Sequence, residues 1–262
     1  MLAFNHIGRL GQLGNQMFQY AALKGIAHHR GFEYMIPNND VMVDGLGNSL
    51  RTELFDAFNL KPNVGILDTE NYVQEPHFEF SQDLFDNCPD NVSLWGFFQT
   101  QKYFKHIRNE LLEDFSFKKQ IVNECEDILE VLEDPIALHI RRGDFIINHA
   151  NHHNQTLDYY EQALKKFPKN QQVVIFSDDP EWCKEQELFS NDRFLVSEGN
   201  GPYHDLYLMS RCNDFIIANS SFSWWGAWLA DYNKVVAPKI WFGPNNADKN
   251  TSDLYCPEWV IV

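Results

Sequence analysis

Apolar residues in the first part of the chain recur at helical spacing behind a turn rich in glycine. The turn runs from Gly8 to Gly14, and the spacing after it predicts a helix from Asn15 to about His29. The stretch from Val41 to Asn91 mixes turn residues with short apolar runs, and no element is assigned to it. Beyond it, the pattern predicts a strand at Val92–Phe98, a helix over residues 101–115 and a helix from about Gln120 to Leu132.

The second part of the chain alternates apolar strands with helices. Such alternation is typical of an α/β fold, in which helices cover both faces of a parallel sheet. A short polar break at Glu133–Pro135 predicts two domains, residues 1–134 and 135–262. The predicted strands are Ile136–Ile140, Val173–Phe176, Phe215–Ala218 and Val235–Ala237, and helices are predicted after Thr156, Asp179 and Ser223 and over Asp205–Arg211.

Three polar segments come directly at the carboxyl ends of predicted strands: His139–Asp144, Ser177–Asp179 and Asn219–Ser223. Ligands of open parallel sheets bind beyond these strand ends. If the strands are neighbours, the three segments meet at one edge of the sheet. The convergence of the three is a stronger indication of a binding site than any one of them.

Two adjacent arginines, Arg141 and Arg142, lie in the first of these segments and point to opposite sides of the strand end. A guanidinium fork suits phosphate oxygens, although a surface pair bonded to Asp144 or another acid is the plainer alternative. The turn Asn219–Ser223 leads into a helix, whose N-terminus either binds an anion or is simply capped. Opposite an arginine pair, a diphosphate is the favoured ligand.

The glycine turn near the N-terminus matches neither the dinucleotide fingerprint nor the Walker loop. It either admits a ligand to the helix N-terminus at Asn15 and Gln16 or is a tight turn between a strand and a helix. His149, His152 and His153 have a spacing that metal ligands can share, but no apolar shell surrounds them. Trp224, Trp225 and Trp228 fall at helical spacing, so core packing is favoured over stacking on a sugar or base.

Composition narrows the class of protein. Of 262 residues, 44% are hydrophobic and 15% aromatic, which indicates a globular chain. The formal net charge of −16 disfavours broad binding of nucleic acid or anionic membranes. Five cysteines without a paired spacing favour a reducing compartment. No signal peptide and no membrane-spanning stretch is visible, so a cytoplasmic location is expected.

Five motifs then carry a resemblance to a known family: GQLGNQMFQYAAL at 11–23, GFFQTQKYF at 96–104, HIRRGD at 139–144, FSDD at 176–179 and NSSFSWWGAWL at 219–229. In this order they resemble the α-1,2-fucosyltransferases of glycosyltransferase family 11, in their bacterial form. The HIRRGD segment is also similar to the arginine motif of α-1,6- and protein O-fucosyltransferases. The region 41–91 carries no matching motif.

The resemblance implies a GT-B architecture, with two Rossmann-like domains facing across a cleft. Residues 1–134 would form the acceptor side, and residues 135–262 would bind the GDP-sugar. The implied activity is that of a galactoside 2-α-L-fucosyltransferase, which moves fucose from GDP-β-L-fucose to O2 of a terminal galactose with inversion. No cofactor and no metal is expected, since arginine and backbone amides would neutralise the diphosphate.

The same resemblance implies roles for individual residues. Arg141 would stabilise the charge that builds on the β-phosphate. Asp144 is the first candidate for the base, with His149, His152 and His153 as alternatives. Asp158 is a further candidate for such work by its residue type alone. The residues expected to bind substrate are Gly14, Asn15, Gln16, His139, Arg142, Asp178, Asp205, Asn219, Ser220, Ser221, Phe222 and Ser223, with Asp205 or Asp178 at the guanine edge.

Two rival hypotheses remain open at this point. The chain would be a transferase for another GDP-sugar such as GDP-mannose, or a non-catalytic carbohydrate-binding module. The acceptor is expected to be a galactose-terminated glycan. A peripheral contact with a membrane stays open as well.

Overall fold

The computed structural model describes residues 1–38, 42–43 and 49–262. Within them the chain forms two compact units. The N-terminal unit contains Met1–Lys118 and Asn250–Cys256, and the C-terminal unit contains Lys119–Lys249 and Pro257–Val262. None of the helices in this described part is both long and apolar enough to cross a membrane.

The N-terminal unit is built on a parallel sheet with the strand order β5-β2-β1-β7-β6 among its described residues. Strands β3 and β4 pair antiparallel with each other in a separate sheet. The strands are β1 (Leu2–Ala3), β2 (Tyr34–Ile36), β3 (Met42–Val43), β4 (Ser49–Leu50), β5 (Asn63–Val64), β6 (Tyr72–Gln74) and β7 (Val92–Trp95). The helices are α1 (Leu13–Arg30), α2 (Leu54–Ala57), α3 (Gln82–Asn87) and α4 (Arg108–Asp114).

Helix α1 confirms the helix predicted behind the glycine turn. It ends where Gly31 adopts the left-handed conformation (φ 68°) and donates its N–H to the last turn. Gly25 packs directly against the backbone of Tyr103 and Phe104, where a Cβ would overlap both residues. This close approach explains why a glycine stands in the middle of a buried helix.

One sequence prediction for this unit needs correction, and one region that the sequence left unassigned contains short elements. That region is 41–91, of which residues 41 and 44–48 lie outside the described residues. These elements have two to six residues, too few for a periodic pattern to show. The helix predicted over 101–115 is α-helical in α4 alone, because two short 3₁₀ turns at Gln101–Tyr103 and Lys105–Ile107 precede it and bury Tyr103 and Phe104.

The C-terminal unit is built on a six-stranded parallel sheet, counted over its described residues, with the order β10-β9-β8-β11-β12-β13. Its strands are β8 (Ile136–Ile140), β9 (Val173–Ser177), β10 (Phe194–Val196), β11 (Asp214–Ile216), β12 (Lys234–Ala237) and β13 (Val260–Ile261). Its helices are α5 (Lys119–Glu124), α6 (Glu126–Glu130), α7 (Gly143–Ile147), α8 (Leu157–Leu164), α9 (Pro180–Glu185), α10 (Pro202–Ser210) and α11 (Ser221–Leu229).

Counted from β8, this strand order is 3-2-1-4-5-6, the order of a Rossmann sheet. Strand β8 is buried along its whole length, as expected for a strand covered on both faces. Trp224, Trp225 and Trp228 of α11 are also buried and pack against one another. Core packing, the favoured interpretation of these tryptophans, is therefore confirmed.

The structure divides the chain between Lys118 and Lys119, earlier than the predicted boundary at 134/135. Helix α5 belongs to the C-terminal unit because it packs on α10, where Glu124 pairs with His204 at 2.6 Å. Near the end of the chain, Asp253 returns to the N-terminal unit, where it accepts the N–H of Phe80 and pairs with Lys102 at 2.5 Å. Both contacts join residues far apart in the sequence, so the local sequence pattern could not predict them.

Candidate functional site

The C-terminal sheet has its topological switch point between β8 and β11. From β8 the chain builds outward through β9 and β10, and it then continues on the other side of β8 with β11. Because β9, β8 and β11 are neighbouring parallel strands, their carboxyl ends lie at one edge. The predicted convergence of the three polar segments is thus confirmed. Ligands of open α/β sheets bind at such a point.

Arg141 leaves the carboxyl end of β8 and is held by two carboxylates. Its Nη1 lies 3.0 Å from Asp178 Oδ2, and its Nη2 lies 2.6 Å from Asp144 Oδ1. The side chain of Asp144 is 57% exposed, and exposed ion pairs contribute about 0–1 kcal/mol. A phosphate can therefore replace Asp144 at little cost, while Asp178 continues to orient the guanidinium.

Arg142 has partners different from those of Arg141 and braces the loop against α9. Its guanidinium carbon lies 3.8 Å from the centre of the Trp182 ring, and its Nε donates to Asp179 at 2.9 Å. Asp179 also caps α9 by accepting the N–H of Trp182, as predicted for the start of this helix. Trp182 was not among the predicted residues, because nothing in the local pattern reveals that an arginine forty positions earlier stacks on it.

Asp178 serves the same loop with both of its oxygens. Besides Arg141, it accepts the backbone N–H of Arg142 at 2.8 Å. A Cβ at Gly143 would lie 2.5 Å from Asp178 Oδ2, so glycine is needed for the close approach. The carboxylate lies beneath the arginine loop with its oxygens engaged, which makes it a positioning residue in this structure.

The turn into α11 is stabilised mainly by its own side chains. Ser220 Oγ accepts the N–H of Phe222 at 3.3 Å, and the buried Ser223 hydroxyl contacts the carbonyls of Ala218 and Ser220. Asn219 donates to the carbonyls of two residues of neighbouring loops, His153 and Trp241. The side chain of Ser220 therefore caps this helix, as one of the two alternatives from the sequence expected. Ser221 and Phe222 are half-buried at the start of the helix.

His139, the fourth residue of β8, is the buried polar group of this edge. It is 4% exposed, and burial, assisted by Arg141, lowers its pKa to about 3, so the ring is neutral at physiological pH. Its Nδ1 has no hydrogen-bond partner among the described residues, and its ring lies 5.6 Å from that of Phe222, centre to centre. A buried, unsatisfied nitrogen beside a helix N-terminus is suited to a ligand atom.

Asp205, on α10, lies near the carboxyl end of β10, with β9 between that strand and β8. Its Oδ1 accepts from the Ser197 hydroxyl at 2.7 Å. Burial raises its pKa to about 6, against the lowering effect of the Ser197 hydrogen bond. A half-buried carboxylate with a raised pKa is a candidate for specific recognition.

The predicted residues of the N-terminal unit secure loops around the start of α1. Gln16 is buried, donates to the carbonyl of Arg51 at 3.0 Å and accepts the N–H of Glu53 at 2.8 Å. Asn15 accepts from Gln99 at 2.8 Å and donates to the carbonyl of Leu10 at 3.1 Å. Gly14 is buried in the first turn of the helix.

The candidates for a general base differ in their surroundings. Asp144 lies against Arg141, whereas His152 stacks on Phe145 at 4.2 Å, and burial lowers its pKa. Burial also lowers the pKa of His153, whereas His149 is exposed. Asp158 is exposed in the first turn of α8, where its negative charge interacts favourably with the helix dipole. No cluster of three His, Cys, Asp or Glu side chains suited to a metal occurs in the described part of the chain.

Comparison with known proteins shows which family the chain belongs to. The chain is 33% identical to an alpha-1,2-colitosyltransferase of Escherichia coli, over 96% of both chains. It is 30% identical to the O-antigen biosynthesis glycosyltransferase WbnK of Escherichia coli, over 94% of this chain and 97% of that protein. With the galactoside 2-alpha-L-fucosyltransferase SEC1 of Bos taurus it shares 26% identity, over 98% of this chain and 73% of that protein.

A solved structure confirms the fold. The chain matches the alpha-1,6-fucosyltransferase NodZ soaked with GDP-fucose with a TM-score of 0.58 and 13% identity, over 91% of this chain and 95% of that one. The GT-B-like α/β class expected from the resemblance is thereby confirmed. A family model, Glycosyl transferase family 11, matches residues 3–262. The chain therefore belongs to glycosyl transferase family 11.

Proposed function

We propose that this enzyme transfers L-fucose from GDP-β-L-fucose to O2 of a terminal galactose, with inversion at the anomeric carbon. The observation that carries the proposal is the arrangement of Arg141, the unsatisfied His139 and the N-terminus of α11 at the switch point of the C-terminal sheet. These groups suit a diphosphate. The names of the related transferases support a fucosyl-like sugar and a galactoside acceptor.

The transfer step requires positive charge next to the phosphate that leaves. As the bond between the sugar and the β-phosphate breaks, negative charge builds on that phosphate. Arg141 exchanges Asp144 for the phosphate oxygens, while Asp178 continues to hold Nη1. Fixed positive groups aimed at a developing charge contribute strongly to catalysis. We therefore propose that transfer needs no metal ion.

The exchange also gives Asp144 a part in the reaction. Once released from Arg141, its exposed carboxylate is available to accept the proton of the galactose hydroxyl. Inversion follows when that hydroxyl attacks the anomeric carbon from the side opposite to the departing diphosphate. The proposal includes Asp205 as the acceptor of two guanine N–H groups. The C-terminal unit binds the donor in this scheme, and the N-terminal unit binds the acceptor.

A second candidate differs in the sugar that is transferred. The 33% identity to an alpha-1,2-colitosyltransferase favours activated colitose as an alternative donor. Colitose is fucose without its 3-hydroxyl, so the two donors differ by one hydroxyl group. GDP-mannose, the rival considered from the sequence, has no such support among these relatives.

A donor panel tests the proposal. The purified protein is incubated with GDP-fucose, activated colitose or GDP-mannose, together with lactose or N-acetyllactosamine, with and without EDTA. We expect fucose to be transferred, α-1,2 linkage in the NMR spectrum of the product, and no effect of EDTA. Transfer of colitose at a far higher kcat/KM would favour the second candidate. Binding of galactosides without transfer from any donor would favour a non-catalytic module.

A further inference from the structure

The N-terminal sheet has a topological switch point of its own. From β1 the sheet grows through β2 to β5 on one side, and the chain then returns to the other side of β1 with β6 and β7. The reversal therefore lies between the neighbouring strands β1 and β7. The rule that places a ligand at the carboxyl ends of the C-terminal sheet predicts a second ligand at this point.

Three aromatic rings meet beside this switch point. His6 follows β1, and its ring stacks on Tyr72 with 5.6 Å between the centres and 13° between the planes. Its Nε2 lies 3.1 Å from the Tyr72 hydroxyl. Trp95, the last residue of β7, contacts the same imidazole edge-on at 5.5 Å. His6 thus joins the ends of the two strands between which the order reverses.

The loop that carries His6 is held firmly. The neighbouring Asn5 is buried, and its backbone N–H donates to the Ser93 hydroxyl on β7 at 3.0 Å. Its side chain exchanges two hydrogen bonds with the backbone of Leu67, each of 2.9 Å. The three rings therefore form a preorganised surface, which lowers the entropy lost when a ligand binds.

This aromatic surface differs in polarity and charge from the edge of the C-terminal sheet that carries Arg141 and Arg142. Tyr72 is 48% exposed, and His6 and Trp95 are half-buried. Partial burial and the nearby Arg9 lower the pKa of His6, so its ring is neutral at pH 7. Aromatic rings with polar tips suit a ligand that has an apolar face and hydroxyl groups, as a pyranose ring has, rather than a diphosphate.

We propose that His6, Tyr72 and Trp95 form a platform that binds a sugar ring of the acceptor glycan. The sugar lays its apolar face on the exposed aromatic surface, and a hydroxyl bonds to the imidazole Nδ1. The inference rests on the proposed function, because it assumes that the second substrate is a glycan. It adds a residue set that no sequence motif indicated.

Variants of Tyr72 test the platform. Tyr72→Ala removes the exposed ring, whereas Tyr72→Phe retains it and loses only the hydroxyl. Val64→Ala is the control, because Val64 is exposed on β5, the opposite edge strand of the same sheet. We expect Tyr72→Ala to raise the acceptor KM about tenfold, since losing about 1.4 kcal/mol of binding has that effect. The donor KM and the rate of donor hydrolysis stay unchanged, and Tyr72→Phe and Val64→Ala remain close to the unmodified protein.

A binding measurement separates this inference from the proposed function. Saturation-transfer NMR with lactose, in the presence of GDP, reports sugar binding whether or not any donor is used. Loss of the lactose signal in Tyr72→Ala supports the platform even if fucose proves to be the wrong donor. An unchanged signal and an unchanged acceptor KM would overturn it, as would a rise in the donor KM. If Tyr72→Ala does not fold, His6→Ala, which changes a loop outside the strands, carries the same expectations.

Discussion

Replacing Arg141 by alanine tests the centre of the proposed mechanism. A guanidinium offers two N–H groups to a phosphate, and each charge-assisted hydrogen bond contributes about 1.5–3 kcal/mol. If both form in the transition state, their loss raises the barrier by about 3–6 kcal/mol and lowers kcat by about 10²–10⁴-fold. The fold survives, because Arg141 contacts side chains at the edge of the sheet and fills no core position.

The matched variant is Arg142→Ala, which removes the neighbouring guanidinium from its stack on Trp182. This variant loses packing and the contact with Asp179, so we expect its free energy of unfolding to fall. Steady-state kinetics with GDP-fucose and a β-galactoside, together with urea unfolding, separate the two effects. Full transfer activity in Arg141→Ala, at unchanged stability, would refute the assignment of this guanidinium to the leaving phosphate.

The remaining predictions concern the guanine contact, the base and the packing of α1. Burial raises the pKa of Asp205 to about 6, so its carboxylate becomes protonated as the pH falls through 6. GDP binding, measured by calorimetry, should therefore weaken below that pH. Asp205→Asn should bind GDP weakly at every pH, whereas the control Asp158→Asn should bind GDP as the unmodified protein does. Asp144→Asn should lower kcat by about 10²-fold or more without weakening GDP, and an unchanged kcat would assign the base elsewhere. Gly25→Ala should lower the free energy of unfolding, measured in urea, by about 1–3 kcal/mol, because the alanine Cβ would overlap the backbone of Tyr103. A gain in stability would show that the backbone of Tyr103 can move aside without cost.

Much of the C-terminal unit could be predicted because its signals are local. The strand at Ile136–Ile140 has the predicted bounds, and Asp179 caps α9 next to Pro180 as its residue type indicates. Buried parallel strands are continuous apolar runs, and helix caps depend on a few neighbouring residues, so short windows of sequence contain both signals. Convergence of the polar segments at one edge then followed from parallel strand order alone.

The strands of the N-terminal unit could not be predicted in the same way, because most of them are short. Strand β1 has two residues, and β5 has two exposed ones, so neither shows an alternating pattern. Their stability comes from neighbouring strands in the sheet rather than from their own propensity. The sequence motif around Asn15 was visible, but its hydrogen bond with Gln99 depends on where β7 ends.

By itself, the sequence determined the α/β class, the polar segments at the strand ends and the two arginines with their distinct sides. Only the tertiary structure decided which carboxylate holds which guanidinium, that the hydroxyl of Ser223 donates to backbone carbonyls of its own turn, and that His6, Tyr72 and Trp95 meet. The physical reason is the range of each interaction. Periodicity and capping act over a few residues, whereas His6 and Tyr72 lie 66 positions apart and meet only because the strand order reverses between β1 and β7.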